Sequence, residues 1–145
     1  MTYEMTKPIT SAYIFIYTLG VIVILLGVFI FLLMSSSKNY SLEIKDKHIM
    51  IKSVFYNTNI SFSDIELKNI EKINLITSNI KIKTRLNGIG LPGLQVGWFS
   101  SSIGKMKLYV TDKNEVLSIP TKFDYTILFS TKDADKIIKD IQTLN

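Results

Sequence analysis

The 145-residue chain has no cysteine and a single histidine, His48. Without thiols there is no disulfide, no cysteine nucleophile and no thiolate metal site, and one imidazole cannot make a histidine cluster. The lack of cysteine suits a reducing compartment and many exported proteins alike, so it leaves location open. The carboxylates Glu43, Asp64, Glu66, Asp112 and Asp124 are scattered without metal-ligand spacing. A serine nucleophile in an SSS run would have only His48 as its base, and His48 falls on the polar side of an expected strand, where a surface role suffices. Asp133 and Asp135 stand at an expected helix start, as partners of its dipole rather than an acid/base pair. We therefore expect no catalytic residues, no cofactor and no metal.

Charge is missing altogether from Ala12 to Met34, where sixteen residues are Leu, Ile, Val or Phe. At about 1.5 Å per residue a helix of this length covers about 34 Å, enough for a hydrocarbon core of roughly 30 Å. A signal peptide is the competing reading. Its core would be only roughly 7 to 15 residues, its N-region would be basic, and a small-residue A-x-A site would follow. Here Glu4 offsets Lys7, and the run ends in Ser35, Ser36 and Ser37. We expect a tail and retained span over residues 1–37, with the helix at about 12–34. Lys7 alone precedes the span, whereas Lys38, Lys45, Lys47 and Lys52 follow it, so the positive-inside tendency puts the C-terminal part in the cytoplasm of a single-pass cell-membrane protein.

Residues 38–145 carry all the remaining charge, 16 basic against 11 acidic, and show no repeat or low-complexity tract. Alternation of period two marks strands. Ile49 and Ile51 oppose His48, Met50 and Lys52. Ile80, Ile82, Thr84 and Leu86 oppose Lys81, Lys83 and Arg85. Met106, Leu108 and Val110 oppose Lys105, Lys107 and Tyr109. This last strand, the turn residues Asp112 to Glu115, with Asn114 suited to a positive φ, and the returning VLSIPT predict a hairpin. The segment SDIELKNIEKINLI predicts a short turn and then a strand, with Ser63 and Glu66 resembling a capping box. YTILFS predicts a last strand, capped by Ser130 or Thr131 into a helix at about 132–144. Its apolar stripe is Ala134, Ile137, Ile138, Ile141 and Leu144.

Within TRLNGIGLPGLQVGWF (Thr84 to Phe99), GIGLPG matches the G-x-G-x-x-G of dinucleotide-binding loops, and Asp112 lies about as far along as the ribose-binding acid would. The context fails, because LQVGWFSSSIGK has no helical stripe and Pro92 interrupts the motif. Gly104-Lys105 precedes Met106, so no P-loop forms either. Glycines 88, 90, 93, 97 and 104 beside Ile89, Leu91, Leu94, Val96, Trp98 and Phe99 instead suggest a bent strand pair at a barrel corner. The apolar residues would be inside, at an interface with a membrane partner, or in a loop dipping into the bilayer.

Several short strands closed by one helix is the element order of the pleckstrin-homology superfold. TRLNGIGLPGLQVGWF, GKMKLYVTDKNEVLSIPT and YTILFSTKDADKIIKDI resemble a family of bacterial PH-like domains with an R-x-N-G-x-G-x-P-G-x-x-x-G-x-F signature. Here it falls on Arg85, Asn87, Gly88, Gly90, Pro92, Gly93, Gly97 and Phe99. The resemblance implies a mainly β fold over residues 38–145, a seven-stranded bent barrel or sandwich with a C-terminal helix, added to the transmembrane helix. Function is then expected to be binding. Lys81, Lys83 and Arg85 on one strand face and Lys105 and Lys107 on another are either a solvated sheet face or, with Trp98 and Phe99, a contact for anionic lipid or a membrane-protein partner. The partners expected are the bilayer and an integral-membrane protein, the latter in a role such as immunity or sequestration. Nucleic acid is not expected, since the excess of +5 is modest.

Overall fold

The computed structural model describes residues 10–35 and 40–144. The chain divides into two compact units, residues 1–35 and 36–145. The flank with Glu4 and Lys7, and the link with Lys38, lie outside the described residues.

In the first unit, α1 (Thr10–Ser35) is a single helix. Thr10 to Leu32, with mean hydropathy 2.9, is long and apolar enough to cross a membrane, and none of it is buried. Thr18 donates its hydroxyl proton to the Ile14 and Phe15 carbonyls, at 3.0 and 2.9 Å. A polar side chain in the apolar run thus satisfies itself within its own helix, as it would have to in hydrocarbon.

The second unit is mainly β. β1 (Ser41–Lys45), β2 (His48–Lys52) and β3 (Thr58–Ser61) form an antiparallel sheet in that order. Asp46 and Lys47, with φ of 50° and 58°, make the tight turn between the first two, the paired left-handed geometry that matches strand twist. Two short 3-10 turns, Phe62–Asp64 and Leu67–Asn69, then precede β4 (Glu71–Ile73). The turn-then-strand expectation holds, but the cap is Ser61, whose hydroxyl oxygen accepts from the Ser63 N–H, and not Ser63 with Glu66. The remaining strands are β5 (Ile82–Leu91), β6 (Leu94–Ser101), β7 (Gly104–Val110), β8 (Val116–Pro120) and β9 (Tyr125–Ser130). They join β4 in a six-stranded sheet, order β4-β8-β9-β7-β6-β5. The PH-like expectation of seven strands becomes nine, in sheets of three and six.

The expected hairpin of β7 and β8 does not form. β9 lies between them, parallel to β7 and antiparallel to β8. The Ser130 hydroxyl oxygen accepts from the backbone N–H of Thr111 and of Asp112, at 3.1 and 3.2 Å, pinning the β7–β8 connection over the end of β9. Asn114 is not in the left-handed region; its backbone and side-chain nitrogens instead donate to the Asp112 carboxylate at 2.9 and 2.8 Å.

β4 and β5 are the two edges of this sheet, so the segment joining them, residues 74–81, must cross it. Five interstrand gaps of about 4.8 Å make about 24 Å if the sheet were flat. The Ser78 N–H donates to the Asn74 carbonyl, which closes the first half of the crossing into a turn. The four steps left from Ser78 to Ile82 reach at most about 14 Å, so even with the turn the segment has no slack for passing over a flat sheet, and a curled one shortens its path. Leu75 packs down on Phe99, Met106, Leu108, Val110, Val116 and Leu128, with Ile73, Ile80 and Ile82 beside it. This buried cluster lies on what we call the crossed face. The opposite, sandwich face meets the small sheet, where the Thr58 and Tyr109 hydroxyls are 2.7 Å apart and buried.

The glycine-rich stretch is the strand pair expected, a hairpin within the six-stranded sheet. β5 and β6 stay paired from Ile82 with Ser101 to Leu91 with Leu94, and Pro92 and Gly93 form the turn. Gly88 and Gly97 pair at positive φ, 141° and 116°. A Cβ on Gly97 would stand 2.4 Å from the Asn87 carbonyl oxygen and 2.7 Å from the Gly88 Cα, so only glycine fits.

α2 (Ala134–Leu144) starts where the Thr131 hydroxyl oxygen accepts from the Asp133 N–H. Of the expected stripe, Ala134 and Ile141 are buried, Ile137 and Ile138 half-buried, and Leu144 exposed. Among the described residues the buried hydrophobic ones lie between Ile49 and Ile141, all within the second unit. Gly97→Ala in this unit is expected to lose about 3 kcal/mol or fail to fold, as read by urea unfolding. A loss below about 1 kcal/mol would mean that the close approach is not needed.

Candidate functional site

Sequence alternation places Lys81, Lys83 and Arg85 on one side of a strand, but β5 is not regular. Its register slips between Ile82 and Arg85 and again between Arg85 and Asn87. The slips turn Arg85 to the crossed face, opposite Phe99 and beyond it Met106, and leave Thr84 and Leu86 exposed instead of buried. Lys81 precedes the strand, its backbone N–H bound to the Ser102 hydroxyl. Phe99 is 3% exposed and belongs to the core, the inside position that is one of the readings of this stretch.

Lys83 and Arg85 border a cavity of about 510 Å³ between the crossing segment and the sheet. Leu75, Ile80, Ile82 and Phe99 give it an apolar lining, while Lys113 reaches it from the β7–β8 connection, and no carboxylate lines it. Among the described residues none of the three cations is in an ion pair. Gln95 also lines the cavity, and its side-chain oxygen is buried without a hydrogen-bond partner. Sequence reasoning missed Lys113 and Gln95. Lys113 reads as turn chemistry and Gln95 as an ordinary strand residue, and only the crossing segment brings both to this place.

Lys105, Lys107 and Trp98 lie on the sandwich face, across the sheet from the cavity. The five cations expected to act together are therefore divided. Lys107 is engaged: its ammonium donates to the Asn57 carbonyl at 3.1 Å and sits 5.4 Å from the centre of the Trp98 ring. Burial pushes its pKa down. Trp98 meets Tyr125 edge-on at 5.0 Å, and Phe123 stacks on Tyr125 at 6.3 Å. Leu86, Asn87, Lys105 and Asp124 line a second cavity of about 450 Å³ with Trp98 and Tyr125.

The signature positions now have physical roles. Gly88 and Gly97 permit close strand approach, and Pro92 and Gly93 turn the hairpin. The Asn87 side-chain oxygen accepts from the Tyr56 hydroxyl at 2.8 Å, tying the two sheets together. Arg85, Gly90 and Phe99 form one side of the first cavity. From residue 39 to residue 145 the sequence matches a family described as bacterial PH domain. The chain belongs to that family. No curated protein and no solved structure matches it. The PH domain holds no group of three or more His, Asp or Glu placed to bind a metal ion among the described residues. His48 is half-buried, with Nδ1 2.9 Å from the Asp46 carbonyl oxygen at the β1–β2 turn.

Burial pushes the Tyr109 phenol up to about 12, against the opposing effect of its hydrogen bond to Thr58. The folded pKa lies above the ordinary value of about 10, so the neutral phenol is the form that the PH domain holds. Its contribution is complete below about pH 10 and is lost as pH rises towards about 12. Tyr40 and Tyr125 are shifted upward by burial as well. Tyr109→Phe should therefore remove about 2–3 kcal/mol of the alkaline loss and leave a remainder. Thermal unfolding of both forms between pH 9 and pH 12, taken as roughly the span around these values, checks this; identical slopes would contradict it.

Proposed function

We propose that this protein is held in the cell membrane by α1 and uses its PH domain, on the cytoplasmic side, to bind anionic lipid at the bilayer surface rather than to catalyse a reaction. The observation that carries this reading is the cavity mouth of Lys83, Arg85 and Lys113, three cations with no carboxylate in the lining. Each Lys or Arg close to an anionic leaflet contributes about 1 kcal/mol, so three give about two orders of magnitude in affinity. Tethering strengthens the case. Only residues 36–40 separate α1 from β1 in the sequence, and so short a link keeps the domain at a high effective concentration of lipid. The lysines that follow the span favour the cytoplasmic side.

Residues 36–145 are expected to float with phosphatidylglycerol vesicles at low salt and not with phosphatidylcholine vesicles. Changing Lys83, Arg85 and Lys113 together to Gln should weaken this by about 100-fold. Absence of flotation on anionic vesicles, or equal flotation of the triple variant, removes the reading.

A second reading, sequestration of an integral-membrane partner, draws on the sandwich side, where Leu86 and Phe123 are 54% and 53% exposed beside Trp98 and Tyr125. With a photoreactive residue in place of Trp98 in the full chain, cells should yield one discrete adduct with a membrane protein, lost on Leu86→Glu. A smear of adducts indifferent to Leu86 would rule this out.

A further inference from the structure

The cavity on the crossed face combines features that no purely charged and no purely apolar ligand satisfies. Its cations stand beside an apolar lining. A small hydrated anion settling among Leu75, Ile80, Ile82 and Phe99 would give up water without gaining donors there. A hydrocarbon would leave Lys83, Arg85 and Lys113 unused and the Gln95 oxygen unpartnered. That oxygen is the one buried side-chain polar atom without a hydrogen bond among the described residues, and such an orphan is costly unless something fills the site. A primary amide offers either an acceptor or two donors to an incoming group. Gly90 keeps the space open: a Cβ there would stand 3.6 and 3.7 Å from the edge of the Phe99 ring and 3.8 Å from the Arg85 side chain. Those are ordinary contact distances, so a larger side chain would occupy the cavity without meeting backbone. The cavity is open to solvent on one side, and its volume of about 510 Å³ falls within the roughly 300–1,000 Å³ of clefts that hold a small molecule.

We propose that this cavity binds one molecule of an anionic amphiphile, with its alkyl or acyl chain against Leu75, Ile80, Ile82 and Phe99. Its phosphate or carboxylate head lies between Lys83, Arg85 and Lys113. The Gln95 side-chain amide meets the head, accepting from a hydroxyl where the head carries one or, turned over, donating its N–H to a phosphate or carboxylate oxygen. The inference rests on the reading that this mouth meets anionic lipid, and it adds that the chain enters the domain and is not left in the bilayer. The source of the ligand is either a bilayer lipid or a free single-chain amphiphile, and the two share this chemistry.

The test uses residues 36–145 with dodecyl phosphate below its micelle concentration, inorganic phosphate, and phosphatidylglycerol vesicles. Titration calorimetry is expected to show saturable one-to-one binding of dodecyl phosphate and none of inorganic phosphate at the same concentration. Arg85→Gln should weaken dodecyl phosphate about five-fold, and Gly90→Leu, which fills the space, by at least about ten-fold. Equal binding of inorganic phosphate, no saturable binding of dodecyl phosphate, or unchanged binding by Gly90→Leu would overturn the proposal. Should Gly90→Leu unfold the domain, the wild type decides by NMR. Shifts centred on the Gly90 amide and the Gln95 side-chain amide support the site, and shifts centred on Trp98 overturn it. Vesicle flotation identifies the source. Loss of flotation by Gly90→Leu means that the chain is drawn from the bilayer, and retained flotation with lost dodecyl phosphate binding means a free amphiphile. Flotation without dodecyl phosphate binding leaves surface contact standing and defeats this inference, whereas the reverse result defeats surface contact and keeps the site.

Discussion

The PH domain depends on one topological constraint: the strands that bound its larger sheet, β4 and β5, follow one another in sequence. The chain between them has to pass over the face of the strands that lie between, and its short reach suits a curled sheet. That passage buries a second apolar cluster on a face that would otherwise be open to water. Its two ends are fastened by hydrogen bonds from the Leu75 N–H to the Lys113 carbonyl and from the Ser102 N–H to the Lys81 carbonyl, at 2.8 and 2.9 Å. Where the passing chain does not fill the curl, a cavity remains, and the ligand chemistry follows from what happens to border it. Fold and candidate site are thus one consequence, not a scaffold with a site added.

Much of this was readable from residue order. The uncharged run became a helix of membrane-crossing length. The alternation of Ile49 and Ile51, and of Met106, Leu108 and Val110, gave strands buried on the side expected, because period two depends only on the pleat. The stripe in α2 was legible for the corresponding reason at period 3.6. What failed were the readings that assumed neighbours in sequence to be neighbours in space. β7 and β8 have every local mark of a hairpin, and nothing local reveals that β9 separates them. The alternation through Lys81, Lys83 and Arg85 looked regular, yet two register slips redirect Arg85 towards Phe99. A slip of one residue exchanges the faces of everything beyond it, so the cation set divided and Leu86 came out of the core.

The glycine-rich stretch shows how one motif can answer to two kinds of physics. A nucleotide loop uses glycine so that backbone can approach phosphate. Here Gly88 and Gly97 let backbone approach backbone, and the signature's other members supply the turn, the tie to Tyr56 and one side of the cavity. The same letters therefore say little until the following segment is known to be strand or helix.

The insertion of β9 also sets an order on synthesis. The sheet has an empty slot between β7 and β8 until residues 125–130 have been made and can pair. The backbone edges at Leu108 and Leu117 stay unpaired until that strand enters. Late closure of the sheet by long-range pairing is thus imposed by strand order alone.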